Sequence, residues 1–247
     1  MTKEDELLIA AADDKKIQSE NRYILTHTGF LDMRSQSVLR GVYGSSCRFY
    51  GGYDDAERCI GAFVPDYCSE NDLKEELSVL RVNIPKGSKK LTHRDYLGSI
   101  LGLGLDRSVM GDILVLEDGA DIVILSSIAD FLLMNYSKAG RNNLSCEVLP
   151  IDALRAGDIK TTERSDSVAS LRLDNMVASA FNLARGKAQD AVRSGLVFVN
   201  GVQTEKPDKD VSEGDKIVLR GSGKAVLKEI GGTTRKDRLF IKWTKYI

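Results

Sequence analysis

The sequence predicts an α+β protein built in three parts, and three observations carry that prediction. Between residues 77 and 149, strand-like and helix-like segments follow one another in the order β-α-β-β-α-β. Between residues 171 and 201, two short amphipathic helices run into a strand closed by Asn200-Gly201. Charge is also unevenly placed: residues 165–247 hold 15 Lys and Arg against 10 Asp and Glu, and the remainder holds 20 against 26. A net charge of −1 therefore conceals a basic C-terminal segment on an acidic body, a pattern that points to a local anionic partner.

The bulk composition excludes several classes. With 247 residues, 42% hydrophobic and 29% charged, the chain suits two or three small globular domains. No apolar run approaches the roughly 18 residues of a membrane span. The start MTKEDELLIAAADDKK is acidic and lacks the basic-then-apolar order of a secretory signal. Cys47, Cys59, Cys68 and Cys146 form no CxxC pair, and only His27 and His93 are at hand to join them. No metal site or cofactor is expected, and the scattered cysteines read as reduced thiols of a cytoplasmic protein.

Taken in order, residues 3–20 read as an amphipathic helix with Leu7, Leu8, Ala11 and Ala12 along one side. Thr26-His27-Thr28-Gly29 reads as a loop, and Asp32 caps a second helix to about Leu39. Residues 50–53 and 58–64 read as a hairpin around Asp54-Asp55. This N-terminal α/β region is expected to occupy residues 1–74.

In the next part, 75–155, SVLRVNI is a strand closed by Pro85-Lys86-Gly87, and residues 93–104 form a helix. Residues 112–117 and 121–126 are strands joined at Asp118-Gly119, a strong hairpin signal. A helix over 129–138, stopped by Ala139-Gly140, and a strand over 144–149 complete the order of a ferredoxin-like or RNA-recognition-motif-like sandwich. An RNA-recognition motif stacks bases on aromatic residues of its central strands. Here those strands read ILVLE and DIVIL, so the fold is expected without the stacking platform.

Residues 156–169 are polar and uneven and read as a linker before a last part, 170–247. Leu173, Met176, Val177 and Ala180 mark one buried helical face, and Arg172, Asn175, Ser179 and Asn182 mark a polar one. In the second helix Arg185, Gln189 and Arg193 align while Ala188, Ala191 and Val192 pack, and Gly195 stops the helix. TEKPDKD is a charged loop, KIVLR and KAVLKEI are strands, and RKDRLFIKWTKY alternates like a half-exposed strand. Two small helices with Arg and Asn stripes beside a strand suit phosphate.

Catalytic readings fare less well. LGLGLD at 101–106 ends a helical pattern, whereas dinucleotide glycine loops follow a strand and open a helix. His93-Arg94-Asp95 lacks the phosphate loop and metal-binding triplet that accompany it in kinases; Thr92 and Asp95 instead suit a helix start. Arg94 and Arg107 remain candidate secondary contacts. No GxSxG occurs. Arg172-Leu173-Asp174 resembles the RLD of pseudouridine synthases, but here it opens a short helix, where Asp174 can serve in capping and local pairing.

LRLDNMV, ARGKAQDAV, SGLVFVNG and EGDKIVLRG, in that order, resemble the S4 domain, an RNA-binding module, over about residues 170–223. Ala184 stands where that family often has Ser, which removes a possible cap or phosphate-binding hydroxyl and leaves Arg185 and Lys187 to do more. HRDYLGSILGLGLDRSVMGDI, VASLRLDNMV and RGSGKAVLKEIGGTTRKDR resemble the bacterial YlmH family across nearly the whole length. That resemblance implies an N-terminal region, an RNA-recognition-motif-like middle domain and a C-terminal S4 domain. It further implies a non-catalytic protein that binds rRNA and tRNA on the large ribosomal subunit. Its expected place is with stalled subunits carrying peptidyl-tRNA, alongside other ribosome quality-control factors. The expected RNA-contacting residues are Arg172, Asn175, Asn182, Arg185, Lys187, Arg193, Arg220 and Lys224. Two alternatives stay open: an rRNA-modifying enzyme delivered by its S4 domain, and a cell-division adaptor, to which the family's gene neighbourhood has been linked.

Overall fold

Capping and polar anchors set the first helix. α1 (Lys3–Arg22) begins on a capping box, in which the Thr2 hydroxyl accepts from the Asp5 amide and the Asp5 carboxylate accepts from the Thr2 amide. The computed structural model describes residues 2–54, 56–85, 87–155, 161–234 and 237–246. The inner side of α1 is Asp5, Leu8, Ile9, Ala12 and Ser19. Leu8 and Ala12 of the expected side face inward, whereas Ala11 is exposed and Leu7 is 64% exposed. Polar partners fix that rotation: Asp5 pairs with Arg34 at 2.8 Å and the Ser19 hydroxyl donates to the Phe63 carbonyl. Tyr23 ends the helix in the left-handed region, at φ 52°, a conformation that costs an L-residue about 1 kcal/mol.

The stretch expected to be a loop at 26–29 is instead part of a strand. β1 (Thr26–Leu31) pairs antiparallel with β3 (Cys59–Phe63), and its register shifts between His27 and Phe30. That irregularity breaks the two-residue period by which a strand is recognised. Gly29 sits within it, where a Cβ would lie 2.7 Å from the Ser108 Cβ. β2 (Arg48–Tyr50) lies on the other side of β3, giving the order β1-β3-β2, while Asp55 of the expected turn lies outside the described residues. α2 (Met33–Tyr43) starts on Asp32, whose carboxylate accepts from the Ser35 amide at 2.8 Å.

α3 (Glu70–Glu75) crosses the boundary expected at 74, and Leu73 within it packs with Phe30, Ile60, Leu77, Val79 and Val123. The N-terminal layer and the following domain thus share a core, and residues 1–158 form one unit, with 159–247 a second.

Within the first unit, β4 (Leu77–Asn83), α4 (His93–Leu101), β5 (Met110–Val115), β6 (Gly119–Leu125), α5 (Ala129–Asn135) and β9 (Ser145–Pro150) give the β-α-β-β-α-β sandwich. A small hairpin of β7 (Lys138–Ala139) and β8 (Asn142–Asn143) intervenes, and Lys86 of the expected turn lies outside the described residues. The sheet order is β5-β6-β4-β9 with every neighbour antiparallel, so the central strands are β6 and β4. ILVLE, expected to be central, begins in the edge strand β5, and the LSVLRVN of β4 in its place also lacks aromatic residues. Leu80, Val82, Ile122 and Ile124 face Tyr96, Ile100 and Leu132 from the helices. On the other side of the sheet, Val79, Val123 and Leu125 are covered by Phe30 and Ile60 of the N-terminal layer. That is the side on which an RNA-recognition motif stacks bases. Its lack of aromatic residues follows, because its occupant belongs to the same chain.

Asp121 lies on the same side, fully buried. Arg81 reaches it with Nε and Nη2, both at 2.9 Å, and Arg155 with Nη2 at 2.7 Å, Nε at 3.1 Å and its amide at 3.1 Å. Arg81 also donates to the Ala153 carbonyl, so the cluster pins the segment that leaves β9. The turn before β6 has its own constraint. At Gly119 a Cβ would stand 1.8 Å from the Val82 carbonyl oxygen. Gly119→Ala is therefore expected to cost at least about 2 kcal/mol in chemical denaturation, and an unchanged midpoint would mean that the hairpin can shift away from β4.

In the second unit the expected linker is corrected. Residues 156–160 lie outside the described residues, but 161–168 form a strand, β10 (Thr161–Val168), paired along its whole length with the C-terminal strand β15 (Leu239–Tyr246). The sheet continues through β14 (Gly223–Thr233), β13 (Lys216–Leu219), β11 (Val197–Val199) and β12 (Val202–Gln203), all antiparallel. Polar composition hid β10, five of whose eight residues are exposed. α6 (Leu173–Phe181) and α7 (Arg185–Arg193) pack on this sheet through Leu173, Met176, Val177, Ala180, Ala188 and Val192 against Ile217, Leu227, Ile241 and Trp243.

Candidate nucleic-acid interface

The helix hairpin is organised by one buried carboxylate. Asp174, in the first turn of α6, is fully buried, and four side-chain donors meet it: Arg172 Nε at 3.2 Å and Nη2 at 3.3 Å, Gln189 Nε2 at 3.3 Å and Arg185 Nη2 at 3.4 Å. Its own neighbour's amide, Asn175 N, adds a fifth at 3.0 Å. Burial pushes this carboxyl up, but the hydrogen bonds from Arg172 and the charges of Arg172 and Arg185 outweigh it and hold it below the usual carboxylate range. The Arg185 side chain stays 61% exposed, so one end of each guanidinium is anchored while the rest faces solvent. Two helices are thereby made to present their arginines together.

The start of α6 is capped by backbone rather than by a side chain. The Leu173 and Asp174 amides donate to the carbonyls of Lys209 and Pro207, in the charged loop before β13. α7 differs: Ala184 at its N-cap supplies no side-chain hydrogen bond. The helix opens with Arg185, Gly186 and Lys187, all exposed, in the place where the helix dipole favours an anion. Asn182 lies between the helices in the left-handed region, at φ 54°, and is exposed. Arg193 is exposed in the last turn of α7, and Arg220 comes beside that end because its amide donates to the Leu196 carbonyl. Asn175 is half-buried, with its side-chain amide donating to Ser170 at 2.6 Å.

Three residues depart from the expected surface. Lys224 is 5% exposed, and its ammonium sits 4.1 Å from the centre of the Tyr246 ring. Strand alternation is the cause: Ala225 and Leu227 face the helices, so Lys224 faces away from them. Ser179, on the expected polar face of α6, is buried, donating to Asp166 at 2.7 Å and accepting from Trp243 at 3.2 Å. Arg107, in the first unit, spends its guanidinium on the Met110 and Gly111 carbonyls, at 2.7 and 2.9 Å. Burial and the nearby Arg58 bring its pKa down to about 10. Arg94 is exposed in the first turn of α4. The positioning roles of Asp174 and Gln189 depend on a meeting of two helices, which spacing along one helix does not reveal.

Comparison with known proteins places this geometry. A family model described as the putative RNA-binding domain in YlmH matches residues 70–153, and the S4 domain model matches 171–217. The ribosome-associated protein quality control protein P2 of Bacillus subtilis (strain 168) is 34% identical over 239 residues, covering 96% of this chain and 93% of that protein. The chain belongs to the YlmH family. A solved structure of the cell division protein ylmH from Streptococcus pneumoniae shares the fold, with a TM-score of 0.51 and 24% identity over 62% of this chain and 96% of that one. The two domain matches support an RNA-binding role for this YlmH-family chain. β10, β14 and β15 lie outside the matched S4 segment yet complete its sheet. Among the described residues, no helix is long and apolar enough to cross a membrane, and no group of three or more His, Cys, Asp or Glu is arranged to hold a metal ion.

Proposed function

We propose that this protein is a non-catalytic, cytoplasmic RNA-binding factor whose α6–α7 hairpin grips structured RNA by its backbone. Its partners in this reading are rRNA and tRNA on the large ribosomal subunit, and its task is to hold peptidyl-tRNA on stalled subunits during ribosome-associated quality control. One observation carries the RNA contact: Asp174 orders Arg172 and Arg185 side by side, next to the uncapped start of α7. Asn182 and Lys187 flank that start in sequence, and Arg193 and Arg220 add exposed cations at the other end of α7. The ribosomal part of the reading is supported by the name of the Bacillus subtilis relative. Phosphate contacts of this kind fix position and carry no sequence information directly. Asp174 also bears on catalysis. A fully buried carboxylate saturated by arginine and amide donors suits positioning better than nucleophilic attack on a base.

The test is a salt titration of binding to large-subunit RNA, joined to sedimentation of cell extract. Arg185→Ala with Lys187→Ala is expected to lower affinity and to reduce the slope of log K against log salt by about two. An unchanged affinity and slope would remove the hairpin from the interface. The wild type is expected to travel with free large subunits, and migration with no ribosomal particle would refute the quality-control assignment.

A further inference from the structure

The N-terminal layer holds a cleft of about 610 Å³ that the RNA-binding surface does not use. The C-terminal end of α1 contributes Lys16, Glu20 and Tyr23, and the segment after β3 contributes Asp66 and Tyr67, over a floor that includes the buried Phe63. The volume is that of a small-ligand or side-chain pocket. Tyr23 is 72% exposed and Tyr67 67%, and the Tyr67 hydroxyl donates to the Tyr23 carbonyl, which ties the two residues together at the cleft.

Folding does not account for Tyr23. It occupies a left-handed helix terminus that glycine or asparagine fills without strain, and burial returns nothing for the strain. Charge then selects the ligand. Glu20 and Asp66 face one cation, Lys16, which already pairs with Glu20 at 3.4 Å. The surrounding residues 1–74 hold 9 Lys and Arg against 13 Asp and Glu. Such a field repels a phosphate backbone and draws in a cation, and exposed tyrosine rings attract a guanidinium or ammonium further.

We propose that this cleft binds an arginine side chain presented by a protein partner, held against Tyr23 and Tyr67 and charge-paired to Glu20 and Asp66. The proposal is independent of the RNA-binding assignment, and its test reads the two separately. The full chain is titrated with a labelled peptide alternating Arg and Gly, with the same peptide carrying citrulline in place of Arg, and with large-subunit RNA. The arginine peptide is expected to bind and the neutral citrulline peptide to bind at least about tenfold more weakly. Tyr23→Gly, Tyr67→Ala and the pair Glu20→Gln with Asp66→Asn are each expected to weaken the arginine peptide about tenfold, with RNA affinity unchanged. Tyr23→Gly relieves the left-handed strain, so its melting temperature is expected to be no lower than the wild type's, which separates lost binding from lost folding. Absence of arginine-peptide binding, equal binding of both peptides, or peptide binding indifferent to these substitutions overturns the proposal. RNA affinity that falls with Tyr23→Gly while peptide binding stays constant assigns the cleft to a nucleobase instead.

Discussion

Asp174→Asn is expected to weaken RNA binding about tenfold, although it makes the hairpin more positive by one charge. Counting charges alone predicts the reverse. The difference lies in what the carboxylate does: it takes hydrogen bonds from Arg172 in the loop before α6, and from Arg185 and Gln189 on α7. An amide in its place accepts through one oxygen and repels guanidinium donors through its NH₂ group. Both arginines then regain rotamer freedom that must be surrendered on binding, at about 0.5–1.5 kcal/mol for each long side chain. Two such side chains account for roughly a tenfold loss. Stability is expected to fall by only about 1–2 kcal/mol, because the arginine head groups are already near water. Fluorescence anisotropy with an RNA helix, read beside a denaturation curve, checks both quantities. Tighter binding by Asp174→Asn would show that the arginines act as unpositioned charges.

The largest effect on stability is expected at Asp121. Asp121→Ala removes the shared partner of Arg81 and Arg155, whose side chains are 19% and 25% exposed, and leaves two poorly solvated guanidinium groups facing each other. A loss of about 3 kcal/mol follows. The same cluster gives a pH signature. Burial pushes the Asp121 carboxyl up, but the hydrogen bonds from Arg81 and Arg155 prevail and hold its pKa down to about 2. A carboxyl held below its unfolded value, near 4, contributes fully above that value and loses its contribution as pH falls through the folded one. Between about pH 4 and pH 2, the wild type is therefore expected to lose about 2 kcal/mol more than Asp121→Ala. Parallel stability curves for the two proteins over that interval would contradict the assignment.

Much of this architecture is legible along the chain, and the exceptions share a physical cause. The helices of the hairpin announce themselves because Leu173, Met176, Val177 and Ala180 are all buried on one side. The middle domain does so through apolar strands broken at Asp118-Gly119, where the close approach of Val82 leaves room only for glycine. β1 escapes notice because its irregular register interrupts alternation at Thr28-Gly29. The face of α1 is half legible: Leu8 and Ala12 pack inward as expected, but Asp5 and Ser19 also point inward to polar partners from other segments, which turns Leu7 and Ala11 to the outside. β10 is invisible because its exposed residues are polar and only pairing with β15 defines it.

The candidate interface divides in the same way. Arg172 and Arg185 follow from motif and helical spacing, but the carboxylate that joins them is defined by tertiary contact. Lys224 is the instructive error. It neighbours a basic turn in sequence, yet the alternation of β14 sends Ala225 toward the helices and Lys224 to the opposite side. Arg107 fails for another reason, since its guanidinium completes the hydrogen bonding of backbone carbonyls at the start of β5.

The layer that covers the middle sheet decides how this protein can be taken apart. A fragment cut at residue 75, where one domain would be expected to begin, would carry Leu77, Val79, Val123 and Leu125 with their partners Phe30 and Ile60 removed. Such a fragment would present a strip of aliphatic side chains to water and would tend to self-associate. Any RNA it then retained in a pull-down would report stickiness rather than recognition. Division near residue 158 spares that core, so separate assays of the two halves are sound only when the first seventy-odd residues stay with the sheet they shelter.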